Sequence, residues 1–166
     1  SFTQSEPGQP RDIWVLPMTG EAKPFPVAHT PAEESGSAFS PDGRFLAYVS
    51  DESGRPEVFV RTFPTSTRKW QVSTGGGTSP VWRRDGKELF YLTPDLTLSA
   101  VPTALGPGGL EPGTARALFQ SRGLHLPSSP GSSPYAAAAD GQRFLTILTV
   151  GEAESSPIVL QTGARP

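Results

Sequence analysis

The stretch FSPDGRFLAYVSD, Phe39 to Asp51, places an Asp-Gly pair directly before an unbroken apolar run. The same arrangement returns as WRRDGKELFYLTPD from Trp82 and as AAADGQRFLTILTV from Ala137. Aligned on Asp42-Gly43, Asp85-Gly86 and Asp140-Gly141, the copies match outward in both directions. Phe39, Trp82 and Ala137 stand three residues before the Asp, and Leu46, Leu89 and Phe144 stand four residues after it. An Asp side chain can bond its own backbone two residues on, and Gly accepts the positive φ of a tight hairpin. Each pair therefore predicts two antiparallel strands joined by a short turn. The second strand of each hairpin is apolar almost throughout, as expected of a strand covered on both faces.

The interval from Asp42 to Asp85 fits a four-stranded propeller blade of about 40–45 residues. The interval to Asp140 is longer and holds a Gly/Pro/Ser-rich insertion, Gly106 to Pro134. Further strands are expected at Glu57 to Phe63, Lys69 to Ser73, Thr97 to Val101 and Ala117 to Phe119, with Ile158 to Gln161 closing the series. Asp12 to Leu16 and Pro24 to Val27 read as the last two strands of an earlier blade. The expected fold is all-β: a partial β-propeller of four-stranded antiparallel blades, two whole and two partial. Its expected boundaries are a flexible segment at 1–11, the propeller at 12–162 (blades 12–28, 36–73, 79–120 and 135–162) and a tail at 163–166.

Composition agrees with many short strands and turns. The 166 residues include 18 Gly and 19 Pro, and 35% are hydrophobic. A net charge of −2, from 14 basic and 16 acidic residues, does not favour nucleic acid as a partner. With no cysteine there is no disulfide, thiolate metal site or cysteine nucleophile. No apolar run has the length of a membrane span, so membrane insertion by this segment is not expected.

DIWVLPMTGEAKPF, FSPDGRFLAYVSDESGRPEVFVRTFP, KWQVSTGGGTSPVWRRDGKELFYL and ADGQRFLTIL together resemble the TolB-like, WD-repeat-like bacterial β-propellers, found alone or behind Ser/Thr protein kinase domains. The resemblance runs from about Asp12 to Leu160, and IVLQTGARP is similar to the C-terminal end of such propellers. Two repeats depart from the Ser-Pro of the family turn, with Arg83-Arg84 and Ala138-Ala139 in its place. The resemblance implies a non-catalytic module that binds a protein or peptide, and a periplasmic or other extracytoplasmic location. It equally admits an accessory propeller that gates or presents substrate to a kinase or serine-hydrolase domain elsewhere in a parent chain. No cofactor is implied.

Other chemistries find little support. No GxSxG nucleophile elbow is present, and His29 and His125 each lie in a Pro-rich loop context. Gly75-Gly76-Gly77 lacks the Lys-Ser/Thr continuation of a phosphate loop and reads as a connection between blades. Asp51, Glu52 and Glu57 do not match calcium-loop spacing and read as solvated loop charges. Trp82 with Arg83, Arg84 and Lys87, and Trp70 with Arg68 and Lys69, read as tryptophans packed between blades, with the basic heads in water.

In such blades the turn between the second and third strands and the connection to the next blade emerge on one side. That side is expected to carry Glu52, Arg55, Thr74, Thr78 and Asp95 as the binding surface, because loops on a rigid scaffold usually carry binding. The turn residues Asp42, Gly43, Asp85, Gly86, Asp140 and Gly141 are expected to project from the other side. The open edges of the terminal blades are a further expected surface, for self-association.

Overall fold

The computed structural model describes the chain except residues 21, 66, 107–108, 122–123, 125–131, 148–158 and 162–166, with only the backbone at 105 and 159–161. The described residues form fifteen strands in four antiparallel sheets and no helix. Sheet one holds β1 (Phe2–Gln4), β2 (Asp12–Val15) and β3 (Phe25–Ala28). Sheet two holds β4 (Glu34–Phe39), β5 (Phe45–Ser50), β6 (Glu57–Thr62) and β7 (Lys69–Gln71). Sheet three holds β8 (Thr78–Trp82), β9 (Glu88–Leu92), β10 (Thr97–Gly106), β11 (Gly109–Pro112) and β12 (Arg116–Gln120). Sheet four holds β13 (Tyr135–Ala137), β14 (Phe144–Thr146) and β15 (Val159–Gln161).

The three Asp-Gly turns share one geometry. Gly43, Gly86 and Gly141 have φ of 70°, 73° and 65°. Each donates its N–H at 2.9 Å to the carbonyl three residues back, at Ser40, Arg83 and Ala138. Each Asp accepts the N–H two residues on, from Arg44, Lys87 and Gln142. The turn thus stands on Asp-Gly alone, whatever precedes it. A second repeated feature lies in the inner strands. Gly36 in β4 and Ser79 in β8, both six residues before the Asp, have φ of 58° and 54° where the ladder register shifts.

Sheets stack face to face, and each interface is an apolar cluster. Ile13, Val27, Leu46, Tyr48 and Phe59 join sheets one and two. Phe45, Val58, Val60, Trp82, Leu89 and Val101 join two and three. Phe90, Leu98, Tyr135 and Phe144 join three and four. Inner strands stand side by side, β4 next to β8 and β8 next to β13. Their aromatics link blade to blade: Trp82 Nε1 donates to the Ala38 carbonyl at 3.1 Å, and Tyr135 Oη donates to the Ser79 carbonyl at 2.8 Å. This radial stacking is a propeller, and it explains why β5 and β9 are buried on both faces throughout.

Several expectations need correction. Phe2–Gln4 lies in the segment read as flexible, yet it pairs with β2 in register Phe2 to Trp14, so the first sheet has three strands. The insertion after Gly106 is partly strand. The ten-residue β10 pairs with β12 along its first half and with β11 along its second. Gly109, with φ of 116°, packs against Trp70, where a Cβ would come within 2.8 Å of the indole. β14 is not covered on both faces: Leu145 is exposed, because sheet three packs on one side of it only. Ile158, His125 and the 163–166 tail lie outside the described residues.

Candidate functional site

The hairpin turns occupy one rim of the stack. The connections β5–β6, β7–β8 and β9–β10 join the opposite strand ends and form the other rim. Contacts draw these connections together. Gly77 donates its N–H to the Pro56 carbonyl at 2.9 Å, and a Cβ on Gly76 would meet Pro94 Cγ at 2.5 Å. At the centre is Glu57, 2% exposed. Its carboxylate accepts the Ser73 hydroxyl and the N–H groups of Gly75 and Gly76 at 2.9 and 2.8 Å. Arg55 lies 3.8 Å away. Glu57 is therefore a buried staple between two connections and not a solvated charge, because backbone donors from a neighbouring loop replace water around it.

The sequence-predicted site residues fall around this staple. Glu52 pairs with Lys69 Nζ at 2.5 Å, and Arg55 is largely exposed. Thr74 and Thr78 are exposed at the two ends of the β7–β8 connection. Asp95 is exposed and bonded to Thr93 and Thr97, and those hydroxyl bonds lower its pKa. On the opposite rim Arg83 is not solvated. It bridges Asp85 and Glu88 and holds the Asp85 carboxyl far below the usual range, and Arg116 adds a second bridge to Glu88. Its methylene stem packs where a Cβ on Gly141 would fall, tying the second hairpin to the third.

One concavity among the described residues was not singled out by the sequence. A groove of about 520 Å³ opens at the loop rim of sheet one. The β1–β2 loop supplies Ser5, Glu6, Gln9 and Pro10; the strand ends supply Gln4, Asp12 and Trp14; the β3–β4 loop supplies His29, Thr30 and Pro31. A shallower extension continues over Ala32, Asp51 and Glu52. His29 Nδ1 lies 2.7 Å from Asp12 Oδ2. Ser5 lines the same groove, and among the described residues no hydrogen bond joins it to His29, so no hydrolase triad is assembled. No cluster of metal-ligating side chains occurs among the described residues. No helix there is long and apolar enough to cross a membrane.

Beneath the groove lies Glu34, 1% exposed. It accepts the Thr30 hydroxyl at 2.6 Å through Oε1, while Oε2 has no hydrogen-bond partner. Burial raises its pKa from 4.5 to about 6, with Asp12 and Glu52 adding repulsion and the Thr30 bond and Arg61 opposing. Between these two values the folded state holds a proton that the unfolded chain has released. Stability therefore falls as pH rises through that window, by at most about 2 kcal/mol from this group. Glu34→Gln should flatten the change in melting temperature between pH 4.5 and 7 and leave the variant more stable than the parent at pH 7.5. Thermal melts across that range check this, and an unchanged pH profile would contradict it.

One sequence signal could have found this site. Asp12 and Glu57 are both the acidic first residue of a third strand, in consecutive blades. His29 and Ser73, just past the ends of β3 and β7, stand opposite them, fixed by the pairing of Ile13 with Ala28 and by the Val72 N–H bond to the Val58 carbonyl.

No family model and no curated protein matches this chain. Among solved structures it is similar to oligogalacturonate lyase from Vibrio parahaemolyticus, with a TM-score of 0.55 and 16% identity over 82% of this chain and 36% of that one. It is also similar to TolB from Acinetobacter baumannii, with a TM-score of 0.52 and 15% identity over 97% of this chain and 52% of that one. The chain thus spans about a third to a half of these molecules. At such identities the likeness shows the propeller fold alone.

Proposed function

We propose that this propeller segment is a protein- or peptide-binding module whose partner docks on the rim formed by the β1–β2, β3–β4, β5–β6, β7–β8 and β9–β10 connections. The observation that carries this reading is the groove between Asp12, Trp14 and His29, continuing toward Glu52. It is a concave surface built from adjacent loops on a stacked-sheet scaffold, the setting in which loops usually bind. The likeness in fold to TolB and to a lyase supports the stacked-sheet scaffold on which this rim is built. An extracytoplasmic, bacterial setting belongs to the same reading and rests on the sequence resemblance. Self-association through the terminal sheets is a second contact of this module, supported by the exposed Phe2 and Leu16 in and beside sheet one and Leu145 and Ile147 in and beside sheet four.

Charge reversal separates the rims. Glu52→Lys with Arg55→Glu should weaken a bound partner about tenfold or more, while Arg44→Glu and Lys87→Glu beside the Asp-Gly turns should leave binding within about twofold. Titration calorimetry with a partner peptide selected by display checks this. Loss of binding only in the turn-side variants would place the docking surface on the wrong rim.

A further inference from the structure

The dipeptide that builds each hairpin also carries a reaction of its own. In Asp-Gly the glycine nitrogen readily attacks the preceding side-chain carboxyl, because no Cβ crowds its approach. The sequence has no asparagine, and Asp42, Asp85 and Asp140 are the three of its six aspartates that precede Gly. The same chemistry is therefore offered three times in turns of one geometry, and the surrounding fold decides which of them reacts.

A closed turn resists attack. Each glycine N–H is bonded at 2.9 Å to the carbonyl three residues back, and each carboxylate accepts the N–H two residues on. Both bonds must break, so the reaction waits on local opening of the hairpin. At the first turn the Ser40 hydroxyl at 2.6 Å and Arg44 Nε at 2.8 Å hold the Asp42 carboxylate further. At the second, Arg83 spans both oxygens of Asp85 and keeps that carboxyl far below its usual range, which depletes the acid form that must lose water. At the third, Asp140 accepts the Gln142 N–H at 2.9 Å, while Arg143 stays at 3.7 Å, beyond hydrogen-bond reach.

The scaffold differs in the same direction. The first two turns join strands of six and of five residues, and β5 and β9 are buried throughout. Their sheets lie between two apolar clusters each. The third turn joins β13 and β14, of three residues each, and Leu145 on its outer face is 41% exposed. Among the described residues one cluster holds this sheet. Gly141 lies so close to Arg83 that a Cβ would come within 2.5 Å of Arg83 Cδ. That contact leaves no room for a new ring while the hairpin is shut, and it is lost when the hairpin opens.

We propose that Asp140-Gly141 is the site at which this chain spontaneously forms isoaspartate, and that the change releases sheet four. The Gly141 nitrogen attacks Asp140 Cγ. The N–Cγ bond forms, and the carboxyl hydroxyl leaves as water with the N–H proton, giving a five-membered imide. A water molecule then adds to the main-chain carbonyl carbon of Asp140 and breaks its bond to the Gly141 nitrogen. One water is lost and one regained, with no change in oxidation state. The main chain now runs through Cβ and Cγ, one carbon longer, and the free carboxylate sits on Cα. The lengthened turn no longer presents the Asp140 acceptor to the Gln142 N–H or holds Ala137 opposite Phe144. Phe144 is thereby withdrawn from its edge-to-face contact with Phe90.

The test ages the purified 166-residue chain at about pH 6 and about 37 °C, natively and in urea, and locates isoaspartate by electron-transfer fragmentation of its peptides. In the native chain isoaspartate should accumulate at Asp140 at least about tenfold faster than at Asp42 or Asp85. In urea the three rates should agree within about threefold, because only the fold separates them. Phe90→Ala should raise the native rate at Asp140 several-fold and change that at Asp42 by less than about twofold. Should Phe90→Ala not fold, the native and urea samples of the parent chain decide alone. Hydrogen exchange on the aged chain should show lost protection in β13 and β14 of the modified molecules, with β4–β7 unchanged. Equal native rates at the three turns, or the fastest at Asp42 or Asp85, overturns the site. A preference for Asp140 that persists in urea assigns it to sequence neighbours and overturns the role of the fold. Isoaspartate at Asp140 with β14 still protected overturns the release of sheet four.

Discussion

Glu57→Ala is expected to destabilise the chain by about 3–5 kcal/mol, one of the two largest single-site effects in the molecule. The substitution removes a buried carboxylate and strands three donors at once: the Ser73 hydroxyl and the N–H groups of Gly75 and Gly76. Ser73 and Gly76 are buried and can turn to water only if the β7–β8 connection moves, and that connection is pinned by the Gly77 bond to Pro56 and by contact with Pro94. Glu57→Gln keeps an oxygen for the two glycines and presents its amide to Ser73. Its expected cost is only about 1–2 kcal/mol. Chemical denaturation of the two variants checks both the size and the order. Alanine and glutamine variants of equal stability would show that the carboxylate bonds do not organise this rim.

Phe90→Ala is the second, with an expected loss of about 3–5 kcal/mol from transfer and cavity terms. Phe90 is 0% exposed and meets the Phe144 ring edge-to-face at 5.0 Å and 87°. It is the centre of the cluster that holds sheet four on sheet three. The damage should therefore be local before it is global. Hydrogen exchange should rise first in β13 and β14 while the β4–β7 amides stay protected. Uniform deprotection across the sheets would contradict the blade-by-blade packing.

The two sites differ in how far the sequence revealed them. Asp-Gly hairpins were legible because their chemistry is local: the turn residue, its acceptor and its positive φ lie within four positions. The burial of β5 and β9 followed from unbroken apolar runs. The role of Glu57 was not legible, because its donors arrive from a connection sixteen to nineteen residues away. Read in isolation, a Glu beside a turn looks solvated. Asp12 and His29 were hidden for the same reason, being joined across two strands seventeen residues apart. β1 and β11 were missed on other grounds. FTQ is too short to show alternation, and GLEP begins with Gly and ends with Pro, which read as breaks in a chain. Arg83 looked like a surface cation because Glu88, its buried partner, follows Lys87 directly after the turn and reads there as a second solvated charge.

What the sequence pattern did carry was the sidedness of the loops. Once Asp-Gly turns define one rim, antiparallel pairing sends Glu52, Arg55, Thr74, Thr78 and Asp95 to the other. Pro94 against Gly76 is the contact that shows neighbouring connections meeting there.

The central claim is that this rim is the docking surface, and hydrogen-exchange footprinting of the chain with its tightest display-selected peptide tests it most directly. The account predicts protection of residues 5–12, 29–34, 51–57 and 73–78, with no change at the Asp42-Gly43 and Asp85-Gly86 turns. Protection confined to those turns, or to the β10–β11 arm, would contradict it.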